Sequence, residues 1–196
     1  MARGVQDGHR PRKRFGQNFL VDPGVIARIL AAIPHKGELV EIGPGLGALT
    51  LPLAGRGDRV VAIELDRDVI TRLRVKADAE GTGPRVEIVP QDALRLDLAA
   101  LAETSALTPP LTIVGNLPYN IATALITRLL AQAERIDEMV FMVQKEVADR
   151  LVAAPGDSAY SRLSVLVSAQ AEVEHLFDVP PGAFNPPPKV DSSIIR

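Results

Sequence analysis

A short β-leaning run, Glu38–Ile42, passes into Glu41-Ile-Gly43-Pro-Gly45-Leu-Gly47, and a helical pattern, Leu46–Ala54, follows at once. This passage constrains the fold more than any other in the chain. Closely spaced glycines let a strand turn sharply into a helix, and they let a ligand approach the backbone beside a helix N-terminus that favours negative charge. The same alternation continues downstream. Arg59–Ile63 reads as a strand, and Arg67–Glu80 as a helix with Val69, Ile70, Leu73 and Ala77 at helical spacing. Gly81-Thr-Gly-Pro84 breaks that helix. Strands are then expected at Arg85–Val89, Leu111–Val114 and Met139–Val143, with helices at Ile121–Ala133 and Lys145–Ala153. Repeated strand–helix units imply an α/β fold, a parallel sheet with helices on both faces. The stretch Arg162–Gln170 fits helix or strand, and Pro180–Lys189 is a proline-rich loop.

Composition enters through what it excludes. The 196 residues suit one domain, or one domain and a piece. With no cysteine there is no disulfide framework, thiolate metal site or cysteine nucleophile. His9, His35 and His175 lack ligand-like spacing, so no metal is expected. No apolar run reaches the roughly 18 residues of a membrane span, and no signal-peptide pattern follows the start, so a cytoplasmic location is expected. Charge is uneven: Arg3, Arg10, Arg12, Lys13 and Arg14 face a single acid, Asp7, in a chain whose net charge is −2. Residues 1–14 thus form a basic arm on a mildly acidic body, which points to a polyanion such as RNA, with Arg12, Lys13 and Arg14 against phosphates.

The strand ends carry the chemistry. Glu64 closes the second strand about 20 residues beyond Gly43, where an acid can accept both hydroxyls of an adenosine ribose. To this point a dinucleotide and S-adenosylmethionine fit equally. Asp92, in Gln91-Asp92-Ala93 after the third strand, can accept from an adenine amine or cap a helix. Asn116-Leu117-Pro118-Tyr119 follows the fourth strand and is the most specific signal. The Asn116 side-chain oxygen and the Leu117 carbonyl can each accept a proton of an exocyclic amine. Tyr119 offers a stacking face worth about 1–3 kcal/mol per base.

On these segments the chain resembles the small-subunit ribosomal RNA adenine dimethyltransferases (the KsgA type) over residues 9–196. The matching motifs are Lys13-Arg-Phe-Gly-Gln-Asn-Phe-Leu20, Glu41–Gly47, Glu64-Leu-Asp66, Gln91-Asp92-Ala93, Asn116–Tyr119, Gln144–Leu151 and Phe184-Asn-Pro-Pro-Pro-Lys-Val-Asp-Ser192. The macrolide-resistance methyltransferases of large-subunit RNA share the glycine turn and the asparagine–proline–aromatic motif. The resemblance implies a class I S-adenosylmethionine-dependent methyltransferase, a Rossmann-like seven-stranded sheet with an antiparallel last strand near Asp191–Ile195. It implies one methyltransferase domain over 15–196, with the helical RNA-binding domain that follows in relatives absent or truncated.

Site roles implied in the same way are Asn18, Leu20, Gly43, Gly45, Glu64, Asp92 and Asn116 for S-adenosyl-L-methionine. Asn116, Leu117, Pro118 and Tyr119 are the implied catalytic motif, and Tyr119 and Phe184 clamp the base. Lys145 and Arg150 join the arm as phosphate contacts. The implied reaction is dimethylation of two adjacent adenines at N6 in a small-subunit rRNA hairpin loop. Its partners are that RNA and the immature small ribosomal subunit, with a role in ribosome biogenesis. Two alternatives stand beside it, an assembly factor that chiefly recognises immature subunits and a large-subunit methyltransferase of the macrolide-resistance type. A nicotinamide dehydrogenase leaves Asn116–Tyr119 without a role.

Overall fold

The computed structural model describes residues 18–35 and 37–196. Its elements in chain order are β1 (Phe19–Leu20), α1 (Pro23–Ala32), β2 (Glu38–Ile42), α2 (Thr50–Gly55), β3 (Arg59–Glu64), α3 (Arg67–Ala79), β4 (Val86–Pro90), α4 (Leu98–Thr104) and β5 (Leu111–Asn116). Then come α5 (Ala122–Leu130), β6 (Ile136–Gln144), α6 (Lys145–Val152), α7 (Arg162–Ser168), β7 (His175–Val179), β8 (Phe184–Asn185) and β9 (Ser192–Ile195).

Seven strands form one sheet in the order β4-β3-β2-β5-β6-β9-β7. From β4 to β6 neighbouring strands run parallel, while β9 is antiparallel to both β6 and β7. The expected antiparallel last strand is therefore present, and it lies between two others rather than at the edge. Period-2 alternation sends Val40, Ile42 and Ile113 to one face, against α4 and α5, and Leu39, Val60 and Val114 to the other, against α1 and β8. Both faces are covered, as a parallel sheet requires. Chain order reverses between β2 and β5, so a crevice opens beyond the carboxyl ends of the strands there, where ligands of α/β sheets bind.

The apolar pattern does not predict α1, α4, β7 or the short strands β1 and β8. The first two carry capping signals. Asp22 accepts from the Val25 amide at 2.9 Å with Pro23 opening α1, and Asp97 accepts from Ala99 and Ala100 at the start of α4. The helix expected over Leu46–Ala54 begins only at Thr50, because Gly43, Gly45 and Gly47 hold φ of 67°, 53° and 89° and belong to turns. The Arg162–Gln170 stretch is helical, with Ser161 and Ser164 forming a reciprocal cap. Within the proline-rich loop, β8 pairs antiparallel with β1, Leu20 opposite Phe184. The basic arm, with Arg12, Lys13 and Arg14, lies outside the described residues.

Candidate functional site

A cavity of about 550 Å³ opens at the carboxyl ends of β2, β3, β4 and β5. Asn18, Leu20, Gly43, Gly45, Glu64, Asp92 and all of Asn116–Tyr119 line it, so the structure brings together five motifs separated in sequence. Close strand approach makes this possible. A Cβ on Gly115 would run into the Ile42 carbonyl oxygen, so only glycine lets β5 pass the end of β2 and carry Asn116 up beside Gly43. At Gly45 a Cβ would lie 3.2 Å from the Phe19 ring. The bare turn lets that aromatic rest on it, and Phe19, which sequence reasoning passes over, becomes part of the wall.

The strand-end carboxylates are anchored by hydrogen bonds. Glu64 Oε1 accepts from the Leu65 and Asp66 amides, both at 2.8 Å. Burial still lifts Glu64 above the ordinary carboxylate range, against those bonds and one from the Gly45 backbone. Asp92 Oδ1 accepts from the Leu94 amide at 2.9 Å, so Asp92 is a helix cap and a cavity residue at once. Arg128 of α5 and Gln132 just beyond its end both donate to the Leu96 carbonyl, and Gln132 Oε1 accepts from the Leu98 amide, which fastens the Asp92 turn to the end of α5. Glu41 is 1% exposed and accepts from Thr50 Oγ1 at 2.6 Å. Burial, aided by the nearby Glu64 charge and opposed by the Thr50 bond, raises its pKa to about 7.

The Asn116 loop is held from three sides. Asn116 Nδ2 donates to the Asn18 carbonyl at 3.2 Å, which leaves Oδ1 as the end free to accept. The Leu117 amide donates to the Met142 carbonyl at 3.1 Å, and Pro118 O accepts from Ile121 and Ala122 to begin α5. Among the described residues no backbone donor occupies the Leu117 carbonyl. The Tyr119 hydroxyl pairs with Ser192 Oγ at 2.7 Å, and burial of the phenol raises its pKa. Two acceptors and a ring thus face one space.

Three expected site residues stand away from the cavity. Phe184 is 4% exposed, packs in the core with Leu20 and Ala183, and is absent from the cavity wall. Pairing of β8 with β1 turns it inward, beneath the segment that carries Asn18 and Leu20. Lys145 and Arg150 stand in surface ion pairs. Lys145 Nζ pairs with Asp178 at 2.9 Å and Asp149 at 3.6 Å, and Arg150 pairs with Glu146 at 3.7 Å. Their surroundings are acidic, and Asp178 is held well below its usual range by bonds from Ser193, Lys145 and His175. Among the described residues no helix is long and apolar enough to cross a membrane.

Residues 8–196 match the ribosomal RNA adenine dimethylase family. A ribosomal RNA small subunit methyltransferase A from Pseudomonas aeruginosa is 55% identical over 96% of this chain, which spans 69% of that protein. Among solved structures, a dimethyladenosine transferase from Plasmodium falciparum superposes with a TM-score of 0.76 at 33% identity, covering 90% of this chain and 62% of that one. The 23S rRNA methyltransferase ErmE superposes with a TM-score of 0.74 at 32% identity, covering 91% and 68%.

Proposed function

The chain belongs to the ribosomal RNA adenine dimethylase family, and from that premise we propose that it transfers methyl groups from S-adenosylmethionine to N6 of adenines in small-subunit rRNA. Two adjacent adenines of a hairpin loop are dimethylated, and the RNA is presented by the immature small subunit in the cytoplasm. The observation that carries the reading is the pair of acceptors, Asn116 Oδ1 and the Leu117 carbonyl, in a cavity that also holds Tyr119 and the ribose-height Glu64.

The wall fits the donor. Its strand-end carboxylates Glu41, Glu64 and Asp92 favour a ligand with cationic groups over an anionic pyrophosphate, which argues against a dinucleotide. Asn18 and Leu20 hold the methionine end, Gly43 and Gly45 give close backbone passage, Glu64 takes the ribose diol, and Asp92 accepts from the adenine amine through the oxygen its cap leaves free. When bound, S-adenosylmethionine supplies an electrophilic methyl on a sulfonium.

An adenine amine is planar, its lone pair spread into the ring. Acceptance of both amine protons at Asn116 and Leu117 raises electron density on nitrogen and favours the tetrahedral geometry of the transition state. Pro118 stiffens the turn between the two acceptors and Tyr119, whose ring stacks on the base. Positioning supplies much of the remaining acceleration. The nitrogen becomes acidic once alkylated and gives its proton to water, so no strong base is needed. An unpaired loop adenine enters such a pocket at little unstacking cost.

The reading is tested by following tritiated methyl from S-adenosylmethionine into small subunits isolated from cells lacking this modification, beside protein-free large-subunit RNA. Label should reach N6,N6-dimethyladenosine in the small-subunit RNA. Label confined to large-subunit RNA would favour the ErmE-like alternative, and no label in either would sink the proposal.

A further inference from the structure

Tyr119 stands on a loop, yet its ring must hold one orientation if it is to stack on a base. The loop does not fix it. Pro118 has no N–H to give, and among the described residues the backbone bonds at Pro118 are those its carbonyl accepts in starting α5. The distal hydroxyl of Tyr119 meets Ser192 Oγ at 2.7 Å, from a residue 73 positions later in the chain. Ser192 is fully buried, at 0% exposure. Its backbone lies on β9, opposite Gln144 of β6 on one side and Val179 of β7 on the other. It is therefore held by two strands, and it is among the most firmly placed hydroxyls near the site. The phenol oxygen lies on the long axis of the ring, so a bond there sets the direction of that axis and hence where the ring stands.

We propose that Ser192 is a positioning residue for methyl transfer: through the Tyr119 hydroxyl it locks the aromatic wall against which the target adenine stacks. The inference rests on the methyltransferase reading above and assigns a role to a residue that does not line the cavity. It also explains how the proline-rich loop serves the site. The loop leaves β8, which is paired to the cofactor segment at β1, and ends at the serine that holds the base wall. One segment thus ties the donor side of the cavity to the acceptor side.

The experiment is a double-mutant cycle with Ser192→Ala and Tyr119→Phe, read as transfer rate at saturating S-adenosylmethionine on the unmodified small subunits described above. Donor affinity is measured in parallel by calorimetry. Each single variant should slow transfer about five-fold, the scale of one net hydrogen bond, with donor affinity unchanged. The double variant should be no slower than either single one, since both remove the same bond. Ser192→Ala at the wild-type rate, or a double variant slowed by the product of the singles, would overturn the proposal. A Ser192→Ala variant whose donor affinity falls as far as its rate would overturn it too, because that outcome marks a general structural role. A wild-type chain that labels no small-subunit RNA removes the underlying reading and this inference with it, whereas an active wild type with a failed cycle removes the inference alone.

Discussion

Glu41 shows how much a single buried group can reveal at the residue scale. Its carboxyl is enclosed, with Thr50 as its hydrogen-bond partner and Glu64 as its charged neighbour. With a folded pKa of about 7 against an ordinary 4.5, the folded chain binds more protons than the unfolded one between those values. Stability contributed by this site therefore falls as pH rises from about 4.5 to about 7 and is level beyond. Glu41→Gln, which keeps an oxygen for Thr50, should leave the melting temperature near wild type at pH 4.5 and raise it at pH 8, by an amount worth at most a few kcal/mol. Thermal melts across that range check it, and equal shifts at both ends would show that Glu41 titrates normally. Asn116 makes a different prediction. In the proposed mechanism it contributes one of two acceptors for the attacking amine, so Asn116→Ala should slow methyl transfer about 100-fold or more. Calorimetry should find donor binding weakened far less than the rate, and a loss confined to binding would contradict the catalytic role.

Among the elements, the pairing of β1 with β8 is what converts the N-terminal segment into a wall of the site. Two residues on each side suffice because Phe184 fills the core beneath them. Phe184→Ala should cost about 3–5 kcal/mol in chemical denaturation, as a large-to-small core substitution. Donor affinity should fall with it through Asn18 and Leu20. Slowed transfer at full stability would instead restore Phe184 to the base pocket. This element also marks where the sequence stopped being legible. Strands β2, β3, β5 and β6 were readable because burial on both faces leaves continuous apolar runs, β4 because its residues alternate, and α3 and α5 because their faces repeat at helical spacing. The glycine turn, Glu64, Asp92 and Asn116 were readable because each stands at a strand end and the fold gathers strand ends. Phe184 was misread since its motif is local, whereas its burial depends on pairing with a segment 164 residues earlier, Leu20. The ion pairs of α6 were legible in part: Glu146, the partner of Arg150, lies one turn away on the same helix, but the Asp178 that engages Lys145 arrives from β7. Gly115 and Ser192 meet Ile42 and Tyr119 only across the fold, and neither contact is written in the local sequence.

At the scale of the whole molecule, charge is divided between the arm and the body. The first 14 residues hold five of the chain's 22 lysines and arginines, while the net charge of the entire chain is −2. The body alone is thus more acidic still, and it would repel an RNA backbone at long range unless the arm offset it. On the body, Lys145 and Arg150 already face carboxylates. An exposed ion pair is weak, about 0–1 kcal/mol, but exchanging it for a phosphate gains little when the displaced acid stays nearby. The dependence of RNA affinity on salt separates the two sources. Each phosphate neutralised on a single strand adds about 0.7 to the slope of log affinity against log salt. Removal of residues 1–14 should therefore lower the slope by about 2–3, and weaken binding most at low salt, while S-adenosylmethionine affinity is unchanged. The Lys145→Ala, Arg150→Ala double variant should shift it by less than about 0.7. Filter-binding or calorimetric titrations at several salt concentrations give both slopes. The opposite ranking, a steep loss for the double variant and none for the shortened arm, would mean that the ion pairs on α6 open on contact and that RNA is steered by the body.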